Sequence, residues 1–251
     1  MMQSASIKVF SRRVTVGLAV CLVLLSGAAV KAQSASPDVG LVTGLSGEAT
    51  YWNAGDQTKP ARVVVFMKVR RGDLFKLPAG AQLQILYLAA GRQETWKGPA
   101  TLTAGEGESL AAPGAQPSSP EVKQLPTRVT RKIGASEMPL PRASIRHSGV
   151  IPTMGAKTAT PGDSPQPPGL CGEAARQEVQ EARQTYTRLR QQTPAGDLTP
   201  ELYYLSVLAE TGEYPEMGKL IDTLLRQNPG NATLKELQAW ARTQSLKKPQ
   251  P

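Results

Sequence analysis

The chain has 251 residues, a formal net charge of +9 and only 5% aromatic residues. Four of the nine net charges lie in residues 1–32 and another four in residues 113–170. The regions with regular hydrophobic patterning are therefore close to neutral, which argues against nucleic-acid binding, because that function needs a basic face on a folded domain.

Residues 1–32 are predicted to be a bacterial signal peptide of the general secretion type. Basic residues precede an uncharged run from Val14 to Val30, and Ala32 ends a suitable cleavage motif. The alternative is an uncleaved anchor, although the run of 17 residues is at the short limit for a spanning helix. We expect a periplasmic or secreted protein with no stable membrane span after signal removal, and the sequence leaves further export open.

The cysteines and the histidine exclude most familiar catalytic chemistry. Cys21 lies in the predicted signal peptide, so the mature chain would keep Cys171 alone, which cannot form an internal disulfide. The single histidine, His147, lies in a stretch rich in Pro, Gly and Ser, where nothing would hold it for nucleophilic catalysis. A histidine-rich zinc site is excluded by count. We expect a protein that is not an enzyme, with no catalytic residue, no metal and no cofactor.

The predicted fold class is a multidomain β plus α protein. Residues 37–112 contain short apolar or alternating runs separated by Gly and Pro turns about every ten residues, which predicts a small antiparallel β sandwich or barrel. Within QLQILYL, the residues Leu83, Ile85 and Tyr87 fall on one face.

Residues 113–170 are predicted to be a flexible, disordered linker. Pro, Gly and Ser dominate, and the scattered apolar residues bury too little surface to offset the entropy of ordering the chain. One stretch within it, VKQLPTRVTRKI, has an alternative interpretation as a last edge strand of the β domain.

Residues 171–245 have helical periodicity and are predicted to form four short helices in up-down order, followed by a tail at 246–251. Thr199 and Pro200 fit an N-cap and a first helical position. Gly212 ends that helix, and the Pro and Gly near residue 230 end the next one.

The β region resembles the FecR-like domain of bacterial envelope proteins. The motifs that carry the resemblance are turn signatures and cover roughly 70 residues. They are Gly44-x-x-Gly47-Glu48-Ala49, Val69-x-x-Gly72-Asp73, Leu77-Pro78-Ala79-Gly80-Ala81, Gly91-Arg92-x-Glu94 and Gly98-Pro99-Ala100-x-Leu102. The resemblance implies an envelope location. We do not expect the signalling role of the founding member, which depends on a cytoplasmic N-terminal domain and one membrane span that the sequence patterns here do not predict.

The helical region is similar to a tetratricopeptide unit. Gly212-Glu213-Tyr214 matches the turn in the middle of the repeat, and Pro229 follows at the expected spacing. Leu205 and Met217 depart from the small residues usual at their positions. Because one full repeat is recognisable and about three are normally needed for stability, we expect support from the flanking helices or from a partner.

Two groups of aromatic residues are candidate binding sites. In the β domain, Tyr51, Trp52 and Trp96 could stack on sugars or anchor a peptide, although completion of the core is the commoner role of such residues. In the helical domain, a groove between the helices that start near Glu201 and Pro215 is expected to bind a peptide or another envelope protein. Its candidate residues are Tyr203, Tyr204 and Tyr214.

An acid pair is the weakest candidate site. Asp73 and Glu94 have the residue type used in glycoside cleavage, but acids beside turns are expected to be solvated.

Three functional hypotheses follow from the sequence. The leading one is a non-enzymatic secreted or periplasmic interaction or scaffold protein, whose β domain and helices each bind an envelope partner. The alternative is a cell-wall or glycan-binding module, in which the β-domain aromatics contact peptidoglycan or another glycan. In it the basic linker, with Arg128, Arg131, Lys132, Arg142 and Arg146, contacts anionic polymer. The third is an enzyme whose catalytic group has no recognisable signature.

Overall fold

A computed structural model describes residues 36–54, 56–112, 119–141 and 172–247. The predicted signal peptide, His147, Cys171 and most of the predicted linker lie outside the described residues.

The β region forms a sandwich of two antiparallel sheets, which confirms the predicted class at this level. In the described residues each sheet has five strands, in the orders β10-β7-β6-β1-β4 and β3-β2-β5-β8-β9. The strands are β1 Asp38–Ser46, β2 Thr50–Asn53, β3 Asp56–Arg62, β4 Lys68–Arg70, β5 Leu74–Leu77, β6 Gln82–Tyr87, β7 Arg92–Lys97, β8 Ala100–Ala104, β9 Ser109–Ala111 and β10 Glu121–Gln124.

The core between the sheets follows from the alternation of the strands. Leu83, Ile85 and Tyr87 are fully buried there, as their shared face predicts. The opposite face of β6 is also buried, because Gln84 and Leu86 are covered by the helical region. At β1 and β6 the first sheet is therefore covered on both faces.

Five helices are present in the described residues, and the four predicted after residue 171 are confirmed. They are α1 Thr127–Ala135, α2 Glu173–Gln192, α3 Thr199–Thr211, α4 Tyr214–Gln227 and α5 Ala232–Lys247. The N-terminus of α3 differs from the prediction that Thr199 is the N-cap. Thr199 lies inside the helix, and the Asp197 carboxylate accepts its backbone N–H at 2.9 Å.

Part of the predicted linker is ordered, which corrects the disordered interpretation for residues 119–141. β10 pairs with β7, in agreement with the edge-strand alternative, but the stretch then turns into α1. The helix is amphipathic, and it buries the apolar residues Val129 and Ile133, which lie one turn apart on the same face. Two apolar residues give only a weak helical signal in a sequence that is otherwise rich in Pro, Gly and Ser, so the sequence patterns did not predict this helix.

Ion pairs connect α1 to the other helices. The Arg128 guanidinium contacts the Glu181 carboxylate at 2.7 Å, and Lys132 pairs with both Glu178 and Glu210. Burial lowers the pKa of Lys132, but its bonds to the two carboxylates outweigh this and the pKa is raised.

The outer face of the first sheet and the helices form one buried apolar cluster, the shared core, which is distinct from the core between the two sheets. The two regions predicted as separate modules are therefore in contact within the described residues. Leu41 of β1 and Leu86 of β6 belong to the same buried cluster as Leu202 and Leu205 of α3. α3 is buried along almost its whole length because β1, α1, α2 and α4 surround it. Its apolar residues occupy more than one face for this reason.

A buried polar junction joins the first sheet to the loop before α3. The Gln93 side-chain NH2 group shares its two hydrogens among four acceptors: both oxygens of Asp197 and the Thr43 hydroxyl, each at 3.2 Å, and the Thr199 hydroxyl at 2.8 Å. The backbone N–H of Leu198 donates to the Thr43 carbonyl at 2.9 Å.

Two further features fix this junction. Arg190 of α2 donates to the Asp197 carbonyl at 2.8 Å and to the Glu201 carboxylate. Gly44 allows the loop to approach the sheet, since a Cβ there would lie 2.9 Å from the Gly196 carbonyl oxygen.

Candidate functional site

The aromatic residues of the β domain do not form a binding surface. Tyr51 and Trp96 are 4% and 2% exposed and belong to the sandwich core, with Tyr51 packed 6.1 Å from the ring of Phe75. Trp52 is partly exposed. A sugar platform that uses all three aromatics is therefore excluded by their burial, and Tyr51 and Trp96 have the core role that is commoner for such residues.

The two acids are buried and hydrogen-bonded, so the expectation that they are solvated is wrong. Glu94 accepts from the Arg92 side chain at 2.7 Å, from the Trp96 indole at 3.0 Å and from the backbone of Ser109. Asp73 accepts the backbone N–H groups of Arg70 and Ala54. Burial raises the pKa of Asp73, and these bonds offset the increase only in part. The hydrogen-bond donors to both acids belong to the framework of the sandwich, and Asp73 and Glu94 have no donor in common among the described residues.

A concave site lies between α2, α3 and α4. It has a volume of about 360 Å³, and we call it the interhelix groove. Its lining consists of one residue of α2, one of α3 and four of α4. They are Arg183, Tyr204, Glu216, Lys219, Leu220 and Thr223.

A three-residue hydrogen-bond network fixes the polar wall of the groove. The Tyr204 hydroxyl donates to the Glu216 carboxylate at 2.6 Å, and Arg183 donates to the same carboxylate oxygen at 2.6 Å. Arg183 also donates to the Tyr204 hydroxyl oxygen at 3.1 Å. Tyr186 stacks on the Tyr204 ring at 5.2 Å. The network therefore holds the charged groups before any ligand arrives.

This network shifts the pKa values of its members. Burial, together with the bond to the Glu216 carboxylate, raises the pKa of Tyr204 to about 12. Burial raises the pKa of Glu216, but the bonds from Tyr204 and Arg183 outweigh it and leave the pKa below its ordinary value. The site therefore carries a neutral phenol, a carboxylate and two cations at neutral pH.

Only one of the three predicted tyrosines lines the groove. Tyr203 and Tyr204 are 2% and 4% exposed and both belong to the shared core, but only Tyr204 reaches the groove lining. Tyr214 is partly buried and packs edge-on against Trp240 at 5.8 Å. Consecutive residues of a helix point in different directions, so Tyr203 and Tyr204 could not share one wall. Sequence reasoning missed Arg183 and Glu216, for which helical spacing from Tyr204 gives no signal because each lies on a different helix.

A metal-binding cluster and a membrane-spanning helix are both absent from the described ranges. There, no group of three or more His, Cys, Asp or Glu side chains is arranged to hold a metal ion. No helix in the same ranges has the length and apolar character needed to cross a membrane.

Comparison of the chain with protein-family models, with curated proteins and with solved structures found no match.

The groove network predicts a small acid-sensitive contribution to stability. Because the folded-state pKa of Glu216 lies below the ordinary 4.5, its contribution should be present above pH 4.5 and lost as the pH falls through the lowered value. We expect Glu216→Gln to reduce the free energy of unfolding by about 1 kcal/mol at neutral pH, because the residue is partly exposed, and by nothing at low pH. Urea denaturation across this pH range measures the difference.

Glu137→Gln is the matched control for that measurement, since Glu137 is exposed. An equal loss of stability in both variants, or a Glu216 effect that does not change with pH, would contradict the network.

Proposed function

We propose that the protein is a non-enzymatic interaction protein of the bacterial envelope, which binds a segment of a protein partner in the interhelix groove. The observation that carries this proposal is the network of Arg183, Tyr204 and Glu216, which fixes one wall of an open concave site. The envelope location rests on the predicted signal peptide and on the resemblance to FecR-like domains.

The chemistry of the groove favours a segment with an acidic and an apolar side chain. Lys219 is exposed on α4 and offers a cation beside the partly buried Leu220. Arg183 adds a second positive charge, although Glu216 compensates it. Preorganised polar groups of this kind reduce the entropy that is lost on binding.

The tetratricopeptide resemblance enters this proposal in a restricted form. α3 and α4 would form the helical pair of the repeat, with Gly212 in the left-handed conformation between them. α3, however, is covered by the first sheet and by α1, so its surface is engaged within the chain. The side where Arg183 of α2 bonds Glu216 of α4 is the surface that we propose for a partner.

The glycan-binding alternative has less support. Tyr51 and Trp96 are buried, and Arg128 and Lys132 of the basic stretch form ion pairs with carboxylates of α2 and α3. Trp52 alone remains as a partly exposed aromatic candidate. One ring is a small surface for stacking on sugars.

A charge reversal tests the proposed function without removing any part of the shared core. We expect Lys219→Glu to abolish the cross-linking of a specific envelope protein in cells that produce the full chain. Lys235→Glu, the same change at an exposed residue of α5 outside the groove, should leave cross-linking unchanged. Recovery of the same partners by both variants, at the wild-type level, would refute groove binding.

A further inference from the structure

The four outer strands of the two sheets differ in how their free edges are protected. An open edge exposes unpaired N–H and C=O groups that can pair with another strand. β3 contains Pro60, which has no N–H to offer, and β4 donates the N–H of Lys68 to the Pro141 carbonyl at 2.8 Å. Both of these edges are blocked.

The edge of β10 itself is open in the described structure, although Pro120, which precedes the strand at an outward-facing position, has no N–H to offer. All four of its residues are exposed, and it pairs with β7 alone. It also carries Val122, which is 45% exposed and is one of three large exposed hydrophobic residues in the described ranges. β9 has three residues and no charge, and the N–H of its first residue, Ser109, is bonded to the Glu94 carboxylate.

The hydrogen-bond register of β10 identifies the backbone groups that face outward. The N–H of Leu125 donates to the Gly91 carbonyl of the paired strand. In an antiparallel strand the backbone N–H and C=O groups of alternate residues point to opposite edges. The backbone groups of Lys123 and Glu121 therefore also point towards β7. The backbone groups of Val122 and Gln124 therefore face away from the sheet.

We propose that β10 pairs with β10 of a second copy of this chain, antiparallel about a two-fold axis at Val122. Residues whose backbone groups face outward pair with each other, which allows Val122 to lie opposite either Val122 or Gln124 of the second copy. Val122 opposite Val122 is favoured, because the other register would place Lys123 opposite Lys123. This register makes one continuous sheet of ten strands, five from each copy.

Charge complementarity favours a second copy as the occupant. In this register, Glu121 lies opposite Lys123 of the second copy, and the symmetry repeats the pair. These are non-hydrogen-bonded positions, where cross-strand side chains approach most closely. Within the described residues neither Glu121 nor Lys123 forms an ion pair, so both charges are available.

The valine contact completes the match. Val122 shares a face with Glu94 of β7, so the apolar contact and the two ion pairs lie on opposite faces of the joined sheet. A four-residue edge buries little surface, and we therefore expect a weak, concentration-dependent dimer. The interface is isologous, as a two-fold dimer requires.

Disulfide trapping tests the register in the full chain with Cys21→Ser and Cys171→Ser. Val122→Cys should form a disulfide-linked dimer under mild oxidation, because the two Cα atoms would be about 5.5 Å apart. Lys123→Cys should not, because its Cα atoms would be roughly 8 Å apart. Cross-linking of both variants to the same extent, or of neither, would overturn the proposal.

A charge swap tests the same interface without cysteines. Sedimentation equilibrium should show that Glu121→Lys weakens dimerisation by about tenfold, because it creates two lysine pairs. Adding Lys123→Glu should restore the wild-type dissociation constant. A double variant as weak as the single one, or a wild-type chain that stays monomeric up to about 1 mM, would exclude the pairing.

Discussion

Replacement of Leu202 by alanine should lower the free energy of unfolding of the whole described fold by about 2–5 kcal/mol. Leu202 lies in α3, is fully buried, and belongs to the cluster that includes Leu41 and Leu86 of the first sheet. The cavity left by the missing methyl groups would therefore open between sheet and helices. Both should unfold in one transition, at a lower denaturant concentration than in the wild type.

Two optical signals make this test specific. The fluorescence of Trp96, in a variant in which Trp52 and Trp240 are replaced by Phe, reports on the sandwich, and far-ultraviolet circular dichroism reports mainly on the helices. Coincident midpoints are the criterion for a cooperative unit. Leu246→Ala is the matched control, because that residue is 88% exposed and should cost almost nothing.

A helical transition that precedes the loss of the Trp96 signal would contradict the shared core. It would restore the interpretation of two modules, each stable alone. The same reasoning bears on truncation, since a chain ending at residue 170 would expose Leu41, Phe66 and Leu86 to water. Point variants are therefore better probes of the helical groove than deletion of the helices.

Local patterns predicted those parts of the fold that local chemistry determines. The four helices after residue 171 have an apolar stripe or clear breakers, such as Gly212 in its left-handed conformation. The alternation of QLQILYL places Leu83, Ile85 and Tyr87 in the core of the sandwich. In each case the information lies within about ten residues of the element concerned.

Long-range contacts explain why the remainder was missed. The partner of Gln93 is Asp197, 104 residues away, and the partner of Glu216 is Arg183 on another helix. Neither pair has a spacing that indicates proximity. The burial of α3 on several faces likewise depends on elements far away in the chain, so its periodicity did not reveal that a β-sheet covers it.

The largest polar effect is expected at the junction between the sheet and the helices. Gln93→Leu should reduce the free energy of unfolding by about 3 kcal/mol, since a buried carboxylate that loses its donor is left with its desolvation cost. Asp197 is 1% exposed and would keep only the backbone N–H of Thr199 among its described donors. The hydroxyls of Thr43 and Thr199 would lose the same amide.

Gln84→Leu is the matched control, because it makes the same change on the same face of the sheet. The Gln84 amide donates to the Thr95 hydroxyl at 3.2 Å, but within the described structure its side-chain oxygen accepts no hydrogen bond. Replacement of this group by an apolar one of similar size removes one bond and one unsatisfied acceptor, so we expect a loss below about 1 kcal/mol. Urea denaturation of both variants gives the comparison directly. Equal losses would mean that apolar packing, rather than the Gln93 amide, joins the helices to the sheet.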